Sequence, residues 1–204
     1  NISNLSNLLR QYRYDMAESE KDETLIQLDL SSKHLVNLVE NILLWTRTQI
    51  GNLENDPEKL WLDSIMTESI EILMPVASEK NIRIDYKKTD LYVNADYNLL
   101  SISIRNLISN AIKFSHTDTT IKIFVAEKDD SIDINVKDEG VGLDNQKLES
   151  ILNGDYTSEL GTNNEKGSGL GLKITKEFIE INGGTLTGTS KPNEGSTFII
   201  KLPL

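Results

Sequence analysis

The sequence predicts an α+β fold, a mixed sheet covered by helices on one face, preceded by a helical hairpin. Three patterns predict it. Apolar residues recur every three or four positions through the first fifty residues, strand-like runs alternate with helical ones from about residue 58, and the last twenty residues read as a strand hairpin.

Ile2, Leu5, Leu9, Tyr12 and Met16 follow an alternation of three and four, and Leu28, Leu35, Leu38, Ile42 and Trp45, with Val39 beside them, form a second series. Glu18 to Thr24 lies between them, charged and without apolar residues, and is expected to be the turn. A lone hairpin leaves an apolar side open, and pairing two hairpins gives a four-helix bundle. Residues 1–50 are therefore expected to form a homodimer, although the same pattern fits a helical pair docked on its own domain. Gly51 to Pro57 reads as a linker (51–57), and a second domain fills 58–204.

In that domain Glu58 to Leu62 reads as a strand, with Asp63 or Ser64 capping a helix through Ile65, Ile70, Leu73 and Met74 to about Glu79. Ile82 to Tyr86 and Leu91 to Ala95 read as strands, and Asp96 as the cap of a central helix anchored by Leu100, Ile104, Leu107, Ile108, Ala111 and Ile112. Thr120 to Val125 and Ser131 to Lys137 make a hairpin. Leu143 to Lys166 is polar and reads as a long irregular connection, Gly167 to Asn182 as a helix stopped by Gly183 and Gly184, and Thr185 to Thr189 with Ser196 to Leu202 as a last hairpin.

The 204 residues carry a net charge of −11 and no cysteine, which excludes a disulfide framework and a thiolate metal site and argues against nucleic acid as partner. No apolar run approaches the roughly 18–20 residues that span a bilayer, so no membrane contact is expected of this chain. A cytoplasmic setting fits.

Three polar stretches stand out. Asn106, Asn110 and Lys113 fall at i, i+4 and i+7 on the central helix, one stripe of two amides and a cation. Asparagine is a poor interior helix former, so two of them one turn apart need a reason; a solvated face is the plain one. Asp138-Glu139-Gly140-Val141-Gly142 follows a strand and by itself also reads as an ordinary turn. Gly167-Ser168-Gly169-Leu170-Gly171-Leu172 opens a helix and matches neither the Walker nor the dinucleotide pattern; a glycine hinge would look the same.

In this order, Asn-x-x-x-Asn-Ala-x-Lys-Phe, Asp-x-Gly-x-Gly and Gly-x-Gly-Leu-Gly-Leu, the chain resembles the ATP-binding domain of sensor histidine kinases, whose nucleotide fold is shared with gyrase, heat-shock chaperone and mismatch-repair ATPases. The resemblance covers nearly the whole chain, with residues 1–50 similar to part of the dimerisation domain. It implies ATP and Mg2+ as cofactors, and transfer of the γ-phosphoryl group to a histidine and then to an aspartate of a response-regulator receiver domain. It implies Asn110 as the magnesium ligand, Lys113 as a phosphate contact, Phe114 against adenine, and Asp138 as acceptor for the adenine amine, with Gly140 and Gly142 allowing close approach. Gly167, Gly169, Leu170, Gly171 and Leu172 would offer a helix N-terminus to phosphate, and Thr197 would support the pocket. Arg105 and Lys166 are further cations for an anionic ligand. Asn106 stands where the ATPase relatives carry a water-activating glutamate; an amide accepts no proton at neutral pH, which favours a transferase over a hydrolase.

Two departures limit the carry-over. The Phe-x-Pro-Phe lid element is absent, with Ile151-Leu152-Asn153 and Tyr156 about where it would stand. The phosphoacceptor box, a histidine followed by an acid and then proline, is missing: His34 has no acid after it and His116 lies past the central helix. The first helix is expected to begin just downstream of the acceptor. The alternatives are an ATP hydrolase of the same fold and a degenerate kinase serving in dimerisation and docking.

Overall fold

The computed structural model describes residues 2–12, 16–49, 55–155, 159–163, 165 and 169–204, and for part of the second helix only the backbone. The chain divides into two compact units, Asn1–Leu53 and Glu54–Leu204.

The first unit holds α1 (Ile2–Tyr12) and α2 (Glu18–Gln49). The expected turn at Glu18 to Thr24 is instead the start of α2. The Glu20 carboxylate accepts the Ala17 N–H at 3.0 Å, satisfying one of the N–H groups that a helix start leaves open, and Glu18 pairs with Lys21 one turn on. A charged stretch without apolar residues was a solvated helix surface, not a break. Met16 falls outside α1, so the first apolar series ends at Tyr12. No residue of α1 is buried. On α2, Leu35, Val39 and Leu43 are 50%, 47% and 57% exposed at i, i+4 and i+8. Leu38, Ile42 and Trp45 lie on α2, but their side chains, like that of His34, are outside the described set.

The second unit runs β1 (Glu58–Trp61), α3 (Leu62–Glu79), β2 (Arg83–Tyr86), β3 (Tyr92–Ala95), α4 (Tyr97–Phe114), β4 (Thr120–Lys128), β5 (Ser131–Lys137), α5 (Asn145–Asn153), α6 (Gly171–Ile181), β6 (Thr185–Lys191) and β7 (Gly195–Pro203). Strands β1 and β3 pair antiparallel; the main sheet is ordered β2-β4-β5-β7-β6, with β2 parallel to β4 and the other pairs antiparallel. Alternation decides which face is covered. Ile121 and Ile123 of β4, Ile132, Ile134 and Val136 of β5, and Phe198, Ile200 and Leu202 of β7 join Leu62, Ile65, Met66, Leu100, Ile104, Leu107 and Ile108 from α3 and α4 in one core.

Three local expectations are corrected. α3 begins at Leu62 with Trp61 at its cap, not Asp63 or Ser64; the Asp63 carboxylate instead accepts the Tyr86 hydroxyl at 2.8 Å and the Thr89 N–H at 3.2 Å. The polar connection after Leu143 contains α5, capped by the Asp144 carboxylate on the Lys147 N–H and closed by Gly154 in the left-handed region. The last helix starts at Gly171 rather than Gly167, because Gly169 has φ +75°, outside helical space. No helix among the described residues is long and apolar enough to cross a membrane.

Candidate functional site

α4 is set from both ends. Asp96 caps it, its carboxylate accepting from the Asn98 and Leu99 N–H groups, while its own N–H donates to Asn182 Oδ1 at 2.7 Å. The apolar face from Leu99 to Ile112 is buried, which leaves Asn106, Asn110 and Lys113 half-buried on the remaining stripe. There the start of α6 packs on it: Asn106 Nδ2 donates to the Gly171 carbonyl and Thr175 Oγ1, both at 3.4 Å. The Asn110 amide has no hydrogen-bond partner among the described residues. Lys113 Nζ donates to the Glu159 carbonyl at 2.7 Å and stands 4.6 Å from the centre of the Phe114 ring, so one face of that ring is taken by a cation. Burial lowers the pKa of Lys113 against the opposing pull of Glu165 and Glu159.

The second motif is tied to the end of α4. Val141 N–H donates to the Phe114 carbonyl at 3.2 Å, and Ser115 and Gly140 form an antiparallel bridge. Asp138 is 4% exposed. Its Oδ1 accepts the Gly140 N–H at 2.9 Å and the Ser196 N–H at 3.1 Å; Oδ2 has no partner within the described protein. Burial raises its pKa, and the backbone N–H bonds oppose that rise. The result is a sunken acceptor with one oxygen clamped and the other unclaimed. The glycines here meet the protein's own main chain: a Cβ at Gly140 would stand 2.2 Å from the Phe114 carbonyl oxygen, and one at Gly142, with φ +62°, 1.9 Å from that of Lys191. Thr197 is half-buried on β7 between Lys137 and Thr189, next to the Ser196 that clamps Asp138.

Of the third motif, Gly167 lies outside the described residues, as does Lys166. Gly169 is exposed, Leu170 occupies the cap position of α6 and its own side chain makes no capping bond, and Gly171 and Leu172 form the first turn. Arg105 is near Tyr97, whose hydroxyl donates to Glu68 of α3. Tyr156 is outside the described residues, and His116 is exposed beyond α4. All three motifs thus meet on α4, whose middle touches α6 and whose end touches Gly140 and Val141. Lys80, Thr162 and Glu165 gather under that same end, and sequence reading missed them; single polar residues in ordinary surroundings carry no pattern. No group of three or more histidine, cysteine, aspartate or glutamate side chains that could hold a metal ion exists among the described residues. The neutral amide oxygen of Asn110 is of the donor type a hard cation accepts when a bound phosphate supplies the remaining ligands.

Residues 95–204 match the family model described as histidine kinase-, DNA gyrase B-, and HSP90-like ATPase. The chain belongs to that family, and its α/β unit is an ATP-binding domain of the sensor histidine kinase kind. It is 31% identical to the sensor histidine kinase GacS of Pseudomonas protegens over 87% of the chain and 20% of that protein, and 27% identical to the sensor protein KdpD of Clostridium acetobutylicum over 91% and 21%. The chain thus spans about a fifth of the length of these relatives. The histidine kinase AdeS of Acinetobacter baumannii shares the fold with a TM-score of 0.73 at 18% identity, covering 99% of this chain and 92% of that one. Full-length ShkA in complex with AMPPNP does so at 0.71 and 21%, covering 100% and 46%.

Proposed function

We propose that this chain is the kinase core of a two-component sensor histidine kinase: residues 58–204 bind Mg2+ and ATP as the catalytic domain, residues 1–50 contribute part of a dimerisation domain, and 51–57 join them. The observation that carries the reading is Asp138, a buried carboxylate with one oxygen fixed by two N–H groups and the other left for a ligand donor. An adenine amine supplies such a donor. Guanine presents a carbonyl there and would leave the buried charge unpaired. Asn110 would hold the cation, which neutralises phosphate charge; Lys113 and the N-terminus of α6, with Gly169, Leu170, Gly171 and Leu172, would meet the phosphates. Phe114 would contact the base through the face not covered by Lys113.

The γ-phosphoryl group goes to a histidine and from there to a receiver-domain aspartate. Asn106 supports transfer over hydrolysis: its amide hydrogen-bonds α6 and provides no base. Neither His34 nor His116 has the sequence surroundings of an acceptor, so the acceptor belongs to a segment other than these residues. The exposed stripe of Leu35, Val39 and Leu43 supports pairing with a second copy. The setting is cytoplasmic.

Calorimetric titration with ATP, GTP and magnesium tests the reading. Magnesium-dependent ATP binding with GTP at least tenfold weaker is expected, with no rapid phosphate release. Equal affinity for GTP would remove Asp138 from the base site, and fast turnover would favour a hydrolase.

A further inference from the structure

We propose that Lys80 is a positioning residue of the nucleotide site, locking the end of α4, with Lys113 and Phe114, to Thr162 and Glu165. Lys80 sits at the C-cap of α3 and is 5% exposed. Its ammonium lies 2.9 Å from the Ile112 carbonyl, 3.0 Å from that of Lys113, 2.7 Å from Thr162 Oγ1 and 2.6 Å from Glu165 Oε1. The two carbonyls belong to the last turn of α4, where helix geometry leaves acceptors unfilled and the dipole favours a cation.

The partner segment is held in turn. Thr162 Oγ1 donates to the Ser115 carbonyl at 2.6 Å, and the Thr162 N–H to that of Lys113 at 3.1 Å. The Gly161 N–H donates to the Glu165 carbonyl at 2.9 Å, and Glu165 Oε2 accepts the Asn163 N–H at 2.7 Å. A Cβ at Gly161 would stand 2.6 Å from Lys113 Cγ, so the segment lies flat on the residue it positions. The charged groups around the ammonium are Glu165 in the segment and Lys113 on α4. Burying a cation is costly unless it is paired and fully hydrogen-bonded. Here that arrangement fixes the two α4 residues expected to face ligand, whereas the Asp138 carboxylate is clamped by the Gly140 and Ser196 N–H groups and meets the lock only through the Ser115–Gly140 bridge.

The inference rests on the nucleotide reading of Lys113 and Phe114, so the test separates the two. Wild type, Lys80→Met and Glu165→Gln are titrated with magnesium–ATP and with adenosine, and amide exchange is followed at Gly161 and Thr162. In both variants Thr162 should exchange at least tenfold faster, ATP affinity should fall about tenfold, and adenosine affinity, which feels the lock through Phe114 but not through Lys113, should fall by no more than about threefold. Equal losses for ATP and adenosine, or wild-type values for both, overturn the positioning role. If Lys80→Met does not fold, Glu165→Gln decides the matter, since Glu165 is partly exposed and lies outside the core. A wild-type chain that binds no ATP would overturn the nucleotide reading and the positioning role with it, while faster Thr162 exchange in Glu165→Gln would still show that the lock exists.

Discussion

At the Asp138 end of the site the polar group is gripped by main-chain N–H groups on two connected segments, and it is buried; at the Asn110 end it stands half-buried on a helix face, without a hydrogen-bond partner among the described residues, near the start of α6. The glycines differ in the same way. Gly140 has no room for a side chain because the Phe114 main chain is against it, while a Cβ at Gly171 would rest 3.8 Å from Asn106 Cγ, an ordinary contact. A preorganised end suits a rigid, neutral ring whose donors must meet a fixed acceptor. An open end suits a flexible, charged chain of phosphates and its cation, which change during reaction.

Gly140→Ala should break this contrast most severely. With a Cβ 2.2 Å from a carbonyl oxygen, the Ser115–Gly140 bridge must open, at a cost on the order of 3 kcal/mol. Chemical denaturation should show that loss, and ATP binding should vanish with the displaced Asp138.

Asp138→Asn sharpens it, since it keeps shape and removes charge. ATP affinity should fall at least tenfold, about 1.4 kcal/mol, by calorimetry. Stability should move the other way. The folded-state pKa of Asp138 is raised by burial, so its contribution is favourable below the ordinary aspartate range and is lost as pH rises through the raised value. The Asn variant should therefore melt no lower than wild type at pH 7 in the absence of ligand, with any advantage shrinking as the pH falls toward 4. A variant clearly less stable at pH 7 would mean that the two N–H bonds need the charge.

At the other end, Asn110→Ala should leave apo stability nearly unchanged, because the amide has no protein partner to lose. Only the magnesium-dependent part of ATP binding should disappear, and a chelator should then have no effect on what remains. Affinity that stays fully magnesium-dependent would assign the cation to another residue.

The same contrast governs what the sequence disclosed. The placing of Asp138 and its glycines at a strand end, and of the two amides on one stripe of α4, was legible because polar groups at turn and helical spacing stand out from an apolar pattern, and the strands of the core were legible from alternation. The start of α2 is hard to read because a charged stretch without apolar residues shows no helical face, although Glu20 three residues after Ala17 is a capping signal. α5 was missed although Asp144, Leu148, Ile151 and Gly154 mark cap, apolar face and stop. Lys80 and Glu165 were illegible for a different reason: 85 residues apart in sequence, they meet only once α3, α4 and the 159–165 segment have been assembled.

Gly171→Ala should give the smallest effect, and it is the sharpest check on the open end. Gly171 is the first residue of α6, in helical conformation and without positive φ, so alanine there removes the glycine's excess chain entropy and should stabilise the protein by up to about 1 kcal/mol. Its N–H would remain available to a phosphate, and the new methyl group would touch Asn106 without displacing it, so ATP affinity should change by less than about threefold, or 0.6 kcal/mol. A loss of tenfold or more, in a variant whose melting temperature is unchanged or raised, would mean that phosphate comes within contact distance of the Gly171 Cα. The glycine would then be needed for the ligand, as Gly140 is needed for the protein's own main chain, and the two ends would differ in what they exclude rather than in how tightly they are built.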